Sequence, residues 1–312
     1  MKGQRPGSVA WGVLLAGGDG TRLHSLTKKI EGDTLPKQFC RMLGDETLLA
    51  QTRHRISPLF DADKIITVVT KKHEAFYSRE TNDWPPTAVV AQPENRGTGV
   101  AIATAILMRR DLDPDVIVAA FSCDHHYSDE AAFLNAIEAG MLAARNNPDA
   151  IVLIGAEATN PETEYGWIEP VQTLVNGARF APARVRQFWE KPTLATACYL
   201  QRRGCLWNTF VTIGRVSAFI DLLCRAAANI MLRLSAGIME NDLDSVYRSI
   251  PPVDFSRDVL APQPERLLVI RDAGSGWTDL GNPNRVFDTL ARERIAPAWL
   301  DSISGVAMPV AG

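Results

Sequence analysis

The stretch Gly12-Val-Leu-Leu-Ala16 leads directly into Gly17-Gly-Asp-Gly-Thr-Arg22, and Leu35-Pro-Lys-Gln-Phe39 follows after a short loop. The first segment is a short apolar run, which is typical of a buried strand, and the second is a glycine-rich turn. Because glycine lacks a Cβ, the turn can adopt positive φ angles and bring its N–H groups close to an anion. This combination predicts a site for a polyphosphate.

Two cations accompany the turn. Arg22 offers a planar set of donors suited to phosphate oxygens, and Lys37 offers a compact point charge, so the pair would neutralise a leaving polyphosphate. The turn matches neither a Walker loop, which needs a Lys at this place, nor a dinucleotide fingerprint, which needs a third glycine three residues after Gly20. A glycine-rich turn alone can also be only a tight connection, so the rest of the chain decides its role.

The composition is that of a globular protein. The 312 residues are 46% hydrophobic, which suffices for a sizeable core in one large α/β domain or two average ones. A net charge of −3 argues against a broad surface for nucleic acids or anionic membranes. The five cysteines form no Cys-x-x-Cys pair and are odd in number, which is typical of reduced thiols and argues against structural zinc.

No targeting or membrane segment is evident in the sequence. Residues 1–9 include basic residues without an apolar signal core after them, and no run approaches the roughly 18 apolar residues of a membrane span. We therefore expect a soluble, cytoplasmic chain that binds neither membranes nor nucleic acids.

Short apolar runs alternate with helical patterns in the first half of the chain. The runs predict buried strands at Val13–Ala16, Ile65–Val69, Ala88–Ala91, Val116–Ala120 and Ile151–Ile154. The helical patterns cover Thr47–Ile56, Gly99–Arg110 and Asp129–Arg145. This alternation predicts an α/β fold with a Rossmann-like, mainly parallel sheet flanked by helices.

The pattern changes after Gly155. A Pro-rich segment is followed by strand-like runs at Gly166–Val171 and Ala183–Trp189, which predict extra strands in a substrate-side lobe. Helical patterns recur at Leu194–Arg203, Val216–Ala228 and Asn284–Arg294. From residue 296 onward the Pro and Gly residues are scattered, and we expect a loosely held tail.

An ordered series of motifs gives the chain a family resemblance. Leu15-Ala-Gly-Gly-Asp-Gly-Thr-Arg-Leu23 and Pro36-Lys-Gln-Phe39 resemble the sugar-phosphate nucleotidylyltransferases, and Gln-Phe after the Lys is most similar to the mannose-1-phosphate guanylyltransferase branch. Further matches follow in the family's order: Gln92-Pro-Glu-Asn-Arg-Gly-Thr98, Ser122-Cys-Asp-His125, Pro161-Glu-Thr-Glu-Tyr-Gly-Trp-Ile168, Phe188-Trp-Glu-Lys-Pro192, Leu206-Trp-Asn208 and Trp277-Thr-Asp-Leu-Gly281. The resemblance implies one nucleotidylyltransferase domain over residues 9–295, with extra strands that form a sugar-binding lobe, and a C-terminal tail over 296–312.

The resemblance also implies the residues of the site. The catalytic residues would be Arg22, Lys37, Asp124, Lys191 and Asp279. The nucleotide would contact Leu15, Ala16, Gly17, Gly18, Gly20, Thr21, Gln92, Asn95, Gly97 and Thr98. The sugar phosphate would contact Tyr165, Gly166, Glu190, Lys191 and Asn208.

A single Mg²⁺ is the cofactor that the resemblance implies, held by Asp124 and Asp279 against the nucleotide phosphates. Asp124 follows an apolar strand, so its carboxylate should emerge at the carboxyl end of the sheet, where open α/β sheets bind ligands. Magnesium suits such a site because it keeps several waters and takes only one or two protein carboxylates. We interpret the neighbouring His125-His126 and Cys123 as structural, since adjacent residues at a strand end point apart and no base partners the thiol.

Two segments depart from the family pattern. Ser122-Cys123 stands where the family has Pro-Ser, and Asn208-Thr-Phe-Val-Thr-Ile stands where it has Asn-Ser-Gly-Met-Phe. The second change removes a glycine near the expected sugar pocket, so the sequence leaves the identity of the sugar open.

Three interpretations of function follow. The leading one is an enzyme that makes GDP-mannose and pyrophosphate from GTP and mannose 1-phosphate with Mg²⁺. The alternatives are transfer between another pair, such as UTP or dTTP with glucose 1-phosphate, and a catalytically silent homologue that binds a sugar nucleotide and regulates a partner. Each is compatible with a homo-oligomer.

Overall fold

The computed structural model describes residues 10–109, 113–171, 180–272 and 274–303. Four parts of the sequence predictions lie outside the described residues: the N-terminal segment 1–9, the domain start at residue 9, the helix end at Arg110 and residues 304–312 of the tail.

One mixed sheet contains nine strands in the described part of the chain. They are β1 Ala10–Leu15, β2 Ile65–Thr70, β3 Val89–Gln92, β4 Ile117–Ser122, β5 Ile151–Glu157, β6 Gly166–Pro170, β7 Ala183–Glu190, β8 Leu206–Arg215 and β9 Leu267–Arg271. Their order is β3-β2-β1-β4-β8-β5-β9-β7-β6, with an additional pairing of β6 with β8. The strands predicted from apolar runs are present, with small shifts at their ends.

The helices of the described residues connect and cover these strands. They are α1 His24–Glu31, α2 Leu48–Ile56, α3 Glu74–Thr81, α4 Gly97–Met108, α5 Glu130–Asn146, α6 Leu194–Arg202, α7 Val216–Met239, α8 Leu243–Ser249, α9 Pro283–Glu293 and α10 Ala298–Ile303. Thr47 and Asp129, where two predicted helices begin, act as N-caps: their side chains accept the N–H groups of Ala50 and Ala132.

The sheet is parallel in its first half and mixed beyond. Strands β3, β2, β1 and β4 pair in parallel, as the alternation of strands and helices predicts. β8 then pairs antiparallel with both β4 and β5, and β6 and β7 form an antiparallel pair at the far edge. The predicted α/β fold is thus confirmed, and the extra strands extend the same sheet instead of forming a separate one.

Two hydrophobic cores lie on the two faces of the sheet. Successive residues of β1 point to opposite faces, so Leu14 belongs to one core and Val13 to the other. Helices α2, α5 and α9 cover the Leu14 face, and α4 and α7 cover the Val13 face. Burial on both faces explains why the central strands are nearly continuous apolar runs.

Helix α7 differs from the expectation that no membrane-length apolar run exists. It is the one described helix that is long and apolar enough to cross a bilayer by length and composition alone, since it continues past the predicted end at Ala228. Its backbone leaves helical angles at Ala227 (φ −149°, ψ 49°). Phe219, Leu222 and Leu234 of this helix are fully buried beside the sheet, and 28% of its most apolar 18-residue window is buried.

The first part of the predicted tail packs against the domain. Trp299 on α10 is buried, its ring lies 6.3 Å from that of Phe287, and its Nε1 donates to the carbonyl oxygen of Met42 at 3.3 Å. The expectation of a loosely held tail is therefore wrong for residues 298–303, because the scattered Pro and Gly residues of the segment do not prevent one aromatic side chain from docking.

We expect Trp299→Ala to lower the free energy of unfolding by about 3 kcal/mol, because it removes a buried aromatic side chain and leaves a cavity. The matched control is Leu232→Ala on α7, where the side chain is 71% exposed and the change should stay within about 0.5 kcal/mol. Urea unfolding followed by tryptophan fluorescence and circular dichroism measures both. Equal effects of the two substitutions would contradict the docking of α10.

Candidate active site

The carboxyl ends of β1 and β4 are neighbours at one edge of the sheet. Leu15 and Ser122 are register partners in this parallel pair. The glycine-rich turn and the segment that contains Asp124 therefore leave the sheet side by side, as the topology of an open α/β sheet requires.

Close contacts fix the glycine-rich turn. A Cβ on Gly17 would lie 2.8 Å from Nε2 of Gln92, and Gly20 has φ +63° with Lys37 N only 2.9 Å from where its Cβ would be. The side chain of the buried Gln38 also holds the turn: its Nε2 donates to the carbonyl oxygens of Ala16 at 2.9 Å and Gly18 at 2.7 Å. Gln38, the residue after Lys37, thus has a structural role that its motif did not reveal.

Two adjoining cavities open at this edge, with volumes of about 380 and 300 Å³. The residues that line both are Ser122, Asp124, His125 and Asp279. Of the predicted nucleotide residues, the main cavity is lined by Leu15, Gly17, Gly18, Gln92, Asn95, Gly97 and Thr98, and the second by Gly20 and Thr21. Ala16 is fully buried and is not among the residues that line either cavity, and its carbonyl oxygen accepts from Gln38 Nε2.

Lys37 joins the two carboxylate segments. Its Nζ lies 3.3 Å from Oδ2 of Asp124 and donates to the backbone oxygen of Asp279 at 2.7 Å. Burial raises the pKa of Asp124, but the charge of Lys37 and a hydrogen bond from Ser122 Oγ at 2.5 Å outweigh it and leave this pKa below its ordinary value. Asp124 is therefore an anion at neutral pH.

Asp279 is held by a cluster that no motif predicted. Its Oδ1 accepts from Tyr165 Oη at 3.0 Å and from the Gly281 N–H at 2.9 Å, and Arg285 Nη1 lies 3.0 and 3.1 Å from its two oxygens. The Arg285 guanidinium also stacks over the Tyr165 ring at 4.5 Å and pairs with Glu162 at 2.5 Å. The orientation of the Asp279 carboxylate is thereby set in advance.

The carboxylates of Asp124 and Asp279 are the acidic groups that face both cavities. No group of three or more His, Cys, Asp or Glu side chains within the described residues could hold a metal ion. Two carboxylates, with waters and phosphate oxygens as the other ligands, match the ligand set that Mg²⁺ prefers. The residues therefore fit a magnesium ion that is shared with a nucleotide.

The wall formed by β3 and the start of α4 is rigid. Gln92 is buried, and its Oε1 accepts from Tyr247 Oη at 3.2 Å. Asn95 Oδ1 accepts the Gly97 N–H at 3.0 Å, and Thr98 Oγ1 accepts the Phe255 N–H at 2.9 Å. A planar ligand on this side of the cavity would meet groups that are already oriented.

The predicted sugar residues Tyr165, Gly166, Glu190 and Asn208 also line the main cavity. Burial raises the pKa of Glu190, and the nearby Asp254 raises it further against the opposing charge of Lys191.

Lys191 is the predicted catalytic residue that the structure does not bring to the cavities. Although it is a described residue, it is not among those that line either one. Its side chain is 64% exposed, with Nζ 3.7 Å from Oε1 of Glu190. Arg22 is also largely exposed, at 61%, and lies 3.4 Å from Glu164, but it lines the second cavity with Lys37.

Cys123 and His126 have the structural placement that the sequence indicated. Cys123 is buried, its Sγ donates to the Leu15 carbonyl oxygen at 3.0 Å, and burial raises its pKa well above the ordinary value, so the thiol is unreactive. The backbone of His126 pairs with that of Thr278. Burial lowers the pKa of the His126 imidazole to about 4.

His125 differs from this pattern, because it lines both cavities. Burial lowers its pKa, and its Nδ1 accepts from Trp277 Nε1 at 3.1 Å. A neutral imidazole therefore faces the site.

Several lining residues were missed by sequence reasoning. Those of the main cavity are Gln38, Ala101, Ser122, His125, Glu164, Phe210, Asp254, Ser256 and Trp277. Five of them belong to quoted motifs, so position in a motif could have found them: Gln38, Ser122, His125, Glu164 and Trp277. Asp254 and Ser256 lie in no motif, and only the tertiary fold brings them here.

Comparisons with known proteins identify the family of the chain. The family model described as Nucleotidyl transferase matches residues 11–294. The chain belongs to this family. The matched range includes the glycine-rich turn, Lys37 and both aspartates.

Curated relatives and solved structures extend the comparison. The chain is 30% identical over 288 residues to Xanthan biosynthesis protein XanB of Xanthomonas campestris, which covers 88% of this chain and 58% of that protein. It is 25% identical over 292 residues to Mannose-1-phosphate guanylyltransferase ManC of Salmonella typhimurium, covering 89% and 59%. The chain thus spans about three fifths of the length of these relatives.

A solved structure has the same fold. A crystal structure titled mannose-1-phosphate geranyltransferase, from Thermus thermophilus, superimposes with a TM-score of 0.73 at 24% identity and covers 89% of this chain and 79% of that one. At this identity the match shows the fold alone.

Gly97 allows a test of how rigid the wall formed by β3 and the start of α4 is. It has φ +85°, and a Cβ there would lie 2.3 Å from the Val253 carbonyl oxygen. Gly32, which ends α1 with φ +77°, has nothing within 4 Å of its Cβ position and is the matched control.

We expect Gly32→Ala to lower the free energy of unfolding by about 1 kcal/mol through backbone strain alone. Gly97→Ala should lower it by about 2 kcal/mol more, because the Val253 segment must also move. Urea denaturation measures both changes. If Gly97→Ala lowers the free energy of unfolding no more than Gly32→Ala does, the Val253 segment moves freely and the wall is not rigid.

Proposed function

We propose that this chain is a sugar-phosphate nucleotidylyltransferase that forms GDP-mannose and pyrophosphate from GTP and mannose 1-phosphate. The observation that carries the proposal is the meeting of Arg22, Lys37, Asp124 and Asp279 at two adjoining cavities beside the glycine-rich turn. Positive and negative groups at one edge suit a triphosphate that binds together with a cation.

The reaction requires alignment more than proton transfer. The attacking oxygen of a sugar phosphate is already an anion, so it needs no general base, and pyrophosphate leaves in line from the α-phosphorus. Lys37 and Arg22 would stabilise the charge that develops on the leaving group, and the N–H groups of the turn would orient it. The fixed Gln38 contacts keep that turn in place before substrate arrives.

Asp124 and Asp279 would hold Mg²⁺, which supplies charge neutralisation at the phosphates when bound. Lys37 already neutralises part of the charge of Asp124, and Arg285 does the same for Asp279. These pairings lower the cost of burying two carboxylates at one cavity. A triphosphate and a cation would then replace or share these partners.

The choice of GTP and mannose 1-phosphate rests on three observations. Pro36-Lys-Gln-Phe39 resembles the guanylyltransferase branch, and the relative from Salmonella typhimurium is named a mannose-1-phosphate guanylyltransferase. The oriented Gln92 amide and Asn95 on the nucleotide-side wall offer the donors and acceptors that a purine edge needs. A silent regulatory homologue has no need of so many charged groups in one cleft.

The direct test is an assay of pyrophosphate release with GTP, UTP, dTTP and ATP, each against mannose 1-phosphate and glucose 1-phosphate. We expect turnover to be highest with GTP and mannose 1-phosphate, to stop on addition of excess EDTA and to return with excess Mg²⁺. Highest turnover with UTP or dTTP would favour the alternative pair. Tight nucleotide binding without pyrophosphate release from any pair would favour the silent homologue.

Two substitutions test the charged cluster within that assay. Lys37→Ala and Asp124→Asn should each lower kcat by about 10²-fold or more, because each removes a charge that faces the reacting phosphates. Lys64→Ala, which removes an exposed cation paired with Asp61, is the control and should leave kcat unchanged. Far-UV circular dichroism and thermal unfolding check that all three variants fold. Full activity in either cluster variant would refute its role.

A further inference from the structure

Phe210 has a backbone conformation that is unusual for its residue type. It lies inside β8 with φ +66°, in the left-handed region that favours glycine. A bulky residue in this region is strained, and such strain persists only where the surrounding structure imposes it.

A bulge in the sheet imposes this conformation. Between the register pairs Leu153–Thr212 and Gly155–Asn208, β5 contributes one residue and β8 contributes three. The Phe210 N–H donates to Asn208 Oδ1 at 3.1 Å, and its carbonyl oxygen accepts from Thr212 Oγ1 at 3.2 Å. Bulges of this kind redirect a side chain.

The redirected side chain lines the main cavity. Phe210 shares that lining with the predicted sugar residues Glu190 and Asn208, and its own N–H donates to the Asn208 side chain. Its ring lies 6.5 Å from that of Phe255, which is fully buried and supports it. A glycine here would adopt the same φ without strain and would leave the space of the ring empty.

We propose that Phe210 determines which sugar 1-phosphates this site accepts. This inference rests on the proposed function and concerns its sugar. The ring presents an apolar face to the C–H groups of a hexose and occupies the volume that a larger ring substituent would need. The site therefore selects unsubstituted hexose 1-phosphates and rejects N-acetylhexosamine 1-phosphates.

The experiment compares Phe210→Gly and Phe210→Ala with the unmodified protein. Both variants remove the ring, but only glycine also relieves the backbone strain, so agreement between them assigns the effect to the ring. Asn241→Gly is the matched control, because Asn241 also has a positive φ, +55°, and lies outside both cavity linings.

The readout is kcat/KM for N-acetylglucosamine and N-acetylgalactosamine 1-phosphates divided by kcat/KM for mannose and glucose 1-phosphates, with the nucleotide that the unmodified protein uses. We expect this ratio to rise by at least about tenfold in both Phe210 variants, since apolar pocket changes of this size discriminate to that extent. KM for the nucleotide and the ratio of Asn241→Gly should not change. An unchanged ratio in both Phe210 variants, or a rise with glycine alone, would overturn the inference.

Failure of the proposed function gives a different result. If the unmodified protein transfers no nucleotide to any sugar phosphate, the proposed function fails, and calorimetric binding of the same four sugar phosphates then tests Phe210 directly. Tighter binding of the N-acetylated compounds to both Phe210 variants supports the size filter, and unchanged affinities refute it.

Discussion

The ammonium group of Lys37 contacts both aspartate segments of the site. Lys37 reaches Asp124 from the first half of the chain and the backbone of Asp279, 242 residues away in sequence. The Lys37 side chain is 12% exposed and that of Asp124 22%, so removal of either one would leave the other in a poorly solvated place without this opposite charge. The Gln38 contacts hold the glycine-rich turn beside Lys37, and the Arg285 cluster holds Asp279.

The sequence predicted the elements whose causes are local. The apolar runs of β1, β2, β4 and β5 reveal strands buried on both faces, and Thr47 and Asp129 mark helix starts through their capping side chains. The antiparallel entry of β8 between β4 and β5 has no such local cause. Leu206–Arg215 mixes apolar and hydroxyl residues, and its place in the sheet depends on pairing with two strands made long before it.

The same division holds for the site. Motif order was enough to bring Arg22, Lys37, Asp124 and Asp279 together, because each follows a strand or turn whose direction the fold determines. Lys191 is placed differently: it follows the last residue of β7 with φ +45° and its side chain is exposed, whereas Glu190 lines the cavity. Arg285 and Asp254 lie outside every motif, and their roles depend on tertiary contacts that no spacing encodes.

The position of β8 also affects how the molecule must assemble. During synthesis, β4 has one unpaired edge until Leu206–Arg215 has left the ribosome, because β8 is its partner on that side. An open edge on a flat apolar strand is a template for pairing with another chain, and non-local strand pairing is slow. Until β8 is made, the N-terminal half of the nascent chain therefore exposes a strand edge to which another chain can pair.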